Sequence, residues 1–114
     1  MRHRRKKKLG KGKDQKRKLL RSLASSAILY ERIETSHAYA RAAKPYLEKL
    51  ITKAKDGSLH SRRILLSKLT PMAAKKAIEV LGPKYEERKG GYTRLIKLTN
   101  PKAGASKTVL ELVE

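Results

Sequence analysis

Residues 14–36 read DQKRKLLRSLASSAILYERIETS. Leu19, Leu20, Leu23, Ala24, Ala27 and Ile28 recur at spacings of three and four, the repeat of one face of an α-helix. Lys16, Arg17 and Arg21 fall outside that stripe, so the helix has an apolar face for a core and a basic flank. Asp14 stands where an N-cap would. From Tyr30 to Thr35 the helical repeat stops, and the residues around Ile33 read as a short strand. A one-sided helix running into a strand points to a domain in which helices cover a small sheet.

Downstream, the pattern supports that reading. A second helix is expected over roughly His37 to Lys55, with Ala43, Leu47, Leu50, Ile51 and Ala54 inward. Pro45 lies inside it and predicts a kink or a restart, because proline removes a backbone donor. Asp56-Gly57-Ser58 is a turn signal. A short third helix, Leu59 to Leu69, points Ile64, Leu65, Leu66 and Leu69 inward and Arg62 and Arg63 outward. Thr70-Pro71 then opens a fourth helix, with the hydroxyl as cap and the proline at the first helical position. It carries Ala74, Ala77, Ile78 and Leu81 inward, and Gly82-Pro83 is expected to end it. Tyr92–Leu98 and Thr108–Val113 read as strands joined across the turn-rich residues 100–106, most simply an antiparallel hairpin. The fold class is therefore α+β, with a small mostly antiparallel or mixed sheet of about three strands packed against about four helices.

Upstream lies a segment of another kind. The opening MRHRRKKKLGKGK has Leu9 as its one apolar residue after Met1 and holds Gly10 and Gly12. It cannot bury enough surface to offset its ordering entropy, so alone it should be disordered and should order along phosphates. Residues 1–13 are read as a basic N-terminal arm and 14–114 as one globular domain. A nuclear-import-like tract or an expression artefact would look similar. However, the arm enters the first helix with no spacer, which favours a working part of the domain.

Charge narrows the function. Thirty Lys and Arg face ten Asp and Glu, a formal net charge of +20 over 114 residues. A small soluble domain usually carries a net charge of about 2–8. Residues 1–21 alone hold twelve basic side chains against Asp14. Such an excess repels itself unless a polyanion cancels it, and cancelling phosphates releases counterions that drive association. An acidic membrane is the weaker candidate. There is no Trp or Phe, no apolar run long enough to span a bilayer, and no apolar signal core after the first basic residues. The expectation is a cytosolic chain that begins to function at its first residues, with no membrane partner and no small-molecule substrate. The absence of cysteine removes thiol chemistry, disulfides and Cys-ligated zinc. Asn100 and Gln15 are the sole side-chain amides, a composition that fits a heat-loving source.

Nothing in the sequence points to catalysis. His3, His37 and His60 lack metal-binding spacing, and Gly10-Lys11-Gly12-Lys13 lacks the spacing and the preceding strand of a phosphate loop. His3 is read as an RNA contact, and His37 and His60 as surface or capping residues. Glu31 and Glu34 are read as salt-bridge partners. No catalytic residue, metal or cofactor is expected. The aromatics, 4% and all Tyr, are too few for an extended stacking platform and favour recognition of folded RNA through its backbone. The candidate RNA-binding residues are Arg2, His3, Arg4, Arg5, Lys6, Lys7, Lys8, Lys11 and Lys13 in the arm, and Lys16, Arg17 and Arg21 on the first helix. Arg62 and Arg63 belong to the third helix, and Lys89, Gly90, Gly91, Tyr92 and Arg94 to the approach to the hairpin. Tyr92 reads equally as a stacking residue or as a core tyrosine. Gly90 and Gly91 read equally as a close approach to a phosphate or as a plain turn.

The chain resembles the bacterial large-subunit ribosomal protein seventeen family from end to end. The resemblance is carried by Met1-Arg2-His3-Arg4, by LLRSLASSAILYERIETS at 19–36, by the order Glu48, Leu50, Ile51, Thr52, Ala54 and Lys55, by LGPKYEERKGGYTRLIKL at 81–98, and by the closing LELVE. It departs from the family at Tyr39-Ala40-Arg41, where Lys-Ala-Lys is common, in an arm richer in lysine, and in a proline placed earlier, at Pro45. The resemblance implies an α+β fold, a structural place in the large ribosomal subunit on its large RNA near the peptide tunnel exit, and neighbouring proteins, notably large-subunit protein thirty-two. The alternatives are a DNA-binding helix-turn-helix module and an RNA-modifying enzyme. A strand between the first two helices disfavours the former, and the lack of a catalytic constellation disfavours the latter.

Overall fold

The computed structural model describes residues 12–98 and 107–114. The arm candidates Arg2, His3, Arg4, Arg5, Lys6, Lys7, Lys8 and Lys11, and the expected turn at 100–106, lie outside the described residues.

The chain runs α1 (Lys13–Tyr30), β1 (Arg32–Ser36), α2 (His37–Asp56), α3 (Leu59–Lys68), α4 (Pro71–Lys76), a π-helical turn (Ala77–Leu81), α5 (Gly82–Lys84), β2 (Thr93–Leu98) and β3 (Lys107–Leu112). The α+β expectation holds. The sheet order is β1-β3-β2, with β3 central and antiparallel to both neighbours. Ile33, Leu110 and Leu95 stand in register across the three strands. They share the face that packs on the helices, where Leu110 is fully buried.

Most of the core is small. Ala24, Ala27, Ala40, Ala43, Ala73, Ala74 and Ala77 are fully buried beside Ile28, Leu47, Ile51, Leu65, Leu69 and Leu81. Alanine at so many contact positions lets helix axes approach closely, which is how a chain this short closes a core from several helices.

Several helix boundaries have a local cause. Gly12, not Asp14, is the N-cap of α1; Lys16 N donates to Gly12 O at 2.9 Å, and Asp14 sits in the first turn, favourably placed at the positive end of the helix dipole. α1 ends because Glu31 turns left-handed at φ 63°, and this delays β1 to Arg32, two residues later than expected. Ser36 caps α2 by accepting from Tyr39 N at 3.3 Å. α2 runs through Pro45 without a restart. Gly57 closes α2 at φ 69°, and Ser58 opens α3 by accepting from Ser61 N at 3.1 Å.

Two expectations about the third and fourth helices need correction. Leu66 faces solvent, 53% exposed, because α3 is covered on the Leu65 side alone. Gly82-Pro83 does not stop the fourth helix. The turn widens instead: Gly82 N donates to Ala77 O, five residues back, and the helix continues to Lys84. Widening to a π turn is a way to accommodate a proline that can neither donate nor tolerate the usual carbonyl beneath its ring.

Candidate nucleic-acid interface

The core-facing stripe of α1 leaves its other side to cations. Ala24, Ala27 and Ile28 are buried, while Lys13, Arg17, Lys18 and Arg21 are exposed. Lys13, Arg17 and Arg21 are four residues apart, so they form one row with about 6 Å between successive positions along the axis. Arg21 also has an internal partner: its Nη2 donates to Leu69 O at 3.1 Å, tying α1 to the C-terminus of α3.

Lys16 leaves that row and turns toward α2. There it lines an open groove with Leu20 from α1, with Ala38, Arg41, Ala42, Pro45, Tyr46 and Lys49 from α2, and with Lys68 at the end of α3. Four of these nine lining residues are cationic and none is acidic. Tyr46 is half-buried in the wall. Its hydroxyl donates to Lys68 O at 2.9 Å, and Lys68 Nζ lies 5.9 Å from its ring centroid. Burial raises the Tyr46 pKa against the opposing pull of Arg21, so the phenol stays neutral in this cationic setting.

Arg41, Tyr46, Lys49 and Lys68 were missed in the sequence. Positions 38, 41, 42, 45, 46 and 49 do share a helical face opposite Ala43, Leu47 and Leu50, so that face was legible as solvent-facing. Its meeting with Lys16 and Lys68 is tertiary and leaves no local mark.

Arg62 and Arg63 are exposed on α3, as their positions outside the apolar stripe require. The segment before β2 is held from beneath by Glu48. Its carboxylate accepts from Tyr92 N at 3.0 Å, Thr93 N at 3.3 Å and Thr93 Oγ1 at 3.2 Å, while Lys44 pairs with it at 3.5 Å. Gly90 and Gly91 have φ of 109° and 64°, and nothing lies within 4 Å of where a Cβ would be. Backbone conformation, not crowding by the protein, calls for glycine there. Lys89 is exposed. Arg94 is exposed but pairs with Glu111, whose carboxylate also faces Arg32 at 3.5 Å.

Tyr92 is a core residue, not a stacking platform. It is 2% exposed, its ring lies 5.3 Å from that of Tyr85, and its hydroxyl accepts from Lys55 Nζ at 2.9 Å and Thr52 Oγ1 at 3.4 Å. No base can reach either face of that ring. Burial thereby excludes the stacking reading of Tyr92 and leaves the core reading.

The other polar candidates have structural partners. His37 Nδ1 and Thr108 Oγ1 are 2.9 Å apart, joining the start of α2 to β3. Glu31 lies 3.7 Å from Lys76 and 3.8 Å from Lys84, as the salt-bridge reading expects, whereas Glu34 is simply exposed. Among the described residues no three His, Cys, Asp or Glu side chains are grouped to hold a metal, and no helix is long and apolar enough to cross a membrane.

The pattern of the ribosomal protein L17 family matches residues 19–113. A protein of Hydrogenobaculum sp. named large ribosomal subunit protein bL17 is 49% identical, over 100% of this chain and 98% of that protein. Proteins of the same name from Caldanaerobacter subterraneus subsp. tengcongensis and Clostridium acetobutylicum are each 44% identical over 93% of this chain, covering 96% and 95% of their own lengths. With the match spanning nearly the whole chain, helices and sheet alike, the chain belongs to the ribosomal protein L17 family and is a structural, non-enzymatic constituent of the bacterial ribosome in the cytoplasm.

Proposed function

We propose that this chain binds and stabilises folded large-subunit ribosomal RNA near the peptide tunnel exit, beside neighbouring large-subunit proteins that include protein thirty-two. The observation that carries the reading is the cationic row of α1, Lys13, Arg17 and Arg21, exposed on the side away from the core and continuous in sequence with the basic arm. A phosphate backbone laid along that row meets fixed positive charge, and the arm extends the same contact beyond the globular domain. The globular domain supplies a fixed origin for the arm. The relatives' shared name places those proteins in the large subunit, which supports the same placement here. Arg62 and Arg63 offer a second cationic edge on α3, and Lys89, Gly90 and Gly91 a backbone-accessible turn.

The test is the salt dependence of binding to purified large-subunit RNA. Replacing Arg2, Arg4, Arg5, Lys6, Lys7 and Lys8 with Gln should weaken binding, leave the circular-dichroism spectrum unchanged, and flatten the slope of log K against log salt by roughly 0.7–0.9 per lost contact. An unaltered slope would remove the arm from the interface. Cross-linking within intact large subunits tests the neighbour: bridges to protein thirty-two and to RNA at the tunnel exit are expected, and bridges confined to a distant part of the subunit would refute the placement.

A further inference from the structure

We infer that the groove between α1 and α2 is a separate RNA subsite that receives one unpaired nucleotide, its flanking phosphates held by Arg41, Lys49 and Lys68. The inference rests on the RNA-binding reading above and adds a place and a nucleotide geometry to it.

Shape comes first. The groove has a volume of about 480 Å³. Binding clefts for small ligands run from about 300 to 1,000 Å³, which is the scale of one nucleotide and not of a duplex. Beside the cations its lining is small or apolar, chiefly Ala38, Ala42 and Pro45, so a base and ribose can lie against α2. Charge comes second. Arg41, Lys49 and Lys68 line the groove and are exposed, and Arg41 and Lys49 have no ion-pair partner among the described residues. Elsewhere on this molecule cations near acids do pair, as Lys44 does with Glu48 and Arg94 with Glu111. Here no carboxylate lines the site, so Arg41 and Lys49 keep their charge available to a phosphate. Rigidity comes third. The hydroxyl of Tyr46 is fastened to Lys68 O at 2.9 Å, which fixes the phenol as a wall and joins the end of α3 to α2. A preset aromatic wall beside phosphate-binding cations is the chemistry that holds an unstacked base. A flat cationic patch for a duplex backbone would need neither the aromatic wall nor the apolar lining.

The full chain and purified large-subunit RNA decide the matter, with two variants kept on the surface so that the fold survives. Arg41→Gln with Lys49→Gln should reduce the salt slope by roughly 1.4–1.8, two phosphate contacts, in addition to the loss caused by the arm substitutions. Ala38→Leu fills part of the groove without altering charge; it should weaken binding severalfold with the slope unchanged. Ultraviolet cross-linking of the wild-type complex should join the segment 37–49 to a nucleotide that is unpaired in the folded RNA. If the arm variant weakens binding while both groove variants behave as wild type, the subsite is refuted and the broader reading stands. If Arg41 and Lys49 matter but Ala38→Leu does not, or the cross-link falls on paired nucleotides, the groove grips duplex backbone and the single-nucleotide inference fails. Wild-type binding that ignores salt would overturn both.

Discussion

Glu48 Oε2 accepts a hydrogen bond from Tyr92 N at 3.0 Å, joining the middle of α2 to the residue before β2 across 44 positions of sequence. The other carboxylate oxygen takes Thr93 N and Thr93 Oγ1. Three donors therefore converge on one largely buried carboxylate, its side chain 19% exposed. Without it, the two amides that follow the left-handed Gly90-Gly91 turn have no acceptor. Leaving buried donors unsatisfied costs about 1–3 kcal/mol each, and bonds to charged groups sit at the upper end. Glu48→Ala is expected to destabilise the domain by about 2–4 kcal/mol in urea unfolding. Glu48→Gln should also destabilise, because in either orientation its amide NH2 must face the backbone N–H of Tyr92 or of Thr93. A Glu48→Gln midpoint equal to wild type would show that one oxygen suffices and that the carboxylate charge is dispensable.

Gly82 and Gly57 are both intolerant of a side chain, for opposite reasons. A Cβ on Gly82 would stand 2.9 Å from Ala54 O, yet its φ of −53° is ordinary. Gly57 has open space around it but a φ of 69°. Gly82→Ala must push the π turn away from α2 and should cost about 1–3 kcal/mol, the scale of overpacking. Gly57→Ala should cost about 1–2 kcal/mol through left-handed strain alone. Asn separates the two mechanisms, since it tolerates the left-handed region but is larger than Ala. Thermal unfolding should rank Gly57→Asn milder than Gly57→Ala, and Gly82→Asn harsher than Gly82→Ala.

These two glycines also mark what a sequence can disclose. Gly57 sits in a local turn, and Asp56-Gly57-Ser58 was readable as one because its cause lies within those residues. Gly82-Pro83 looked like a stop by the same local rule, but the π turn carries the helix through it, and what calls for glycine there is Ala54 O on another helix. Thr70-Pro71 opened α4 as expected, though the Thr70 hydroxyl makes no capping bond and its Oγ1 has no partner among the described residues. Tyr92 could not be assigned from its neighbours Gly91 and Arg94; the partners that bury it are Tyr85, Lys55 and Thr52. Arg17 and Arg21 of the α1 cationic row were legible because their period is local, whereas Lys13 read as part of the arm and Lys16, read with the flank, turns to the groove. The groove was not, because Lys16, Arg41, Lys49 and Lys68 meet only when α1, α2 and α3 pack.

The α2–α3 junction should respond to acid. Asp56 Oδ2 accepts from Ser61 Oγ at 2.6 Å and from Ser58 Oγ at 2.7 Å. Those bonds, Ser61 first, hold its carboxyl below the ordinary aspartate range. A group whose pKa is lower when folded stabilises the fold above its unfolded pKa, and that contribution disappears as pH falls through the folded value. Asp56→Asn should therefore lower the melting temperature at neutral pH, with the gap to wild type closing below the usual carboxylate pKa. A gap that stays constant down to strong acid would mean the carboxylate charge contributes nothing.

Arg94 should matter less to RNA than Arg17, although both are exposed arginines. Glu111, its side chain 12% exposed, stands between Arg94 and Arg32 on neighbouring strands and neutralises part of their charge. Any phosphate must compete with that carboxylate for the guanidinium, whereas among the described residues Lys13, Arg17 and Arg21 have no ion-pair partner and Asp14 is the acid of their first turn. Arg17→Gln is expected to flatten the salt slope of RNA binding by roughly 0.7–0.9, one full contact, and Arg94→Gln by distinctly less. Glu111→Gln frees two arginines on the outer face of the sheet, so it should steepen the slope if that face lies against RNA. It should leave the slope unchanged if the sheet's outer face is turned to solvent or to another protein. Equal losses from Arg17→Gln and Arg94→Gln would show that the ion pair opens on binding and that the sheet, as well as α1, grips the backbone.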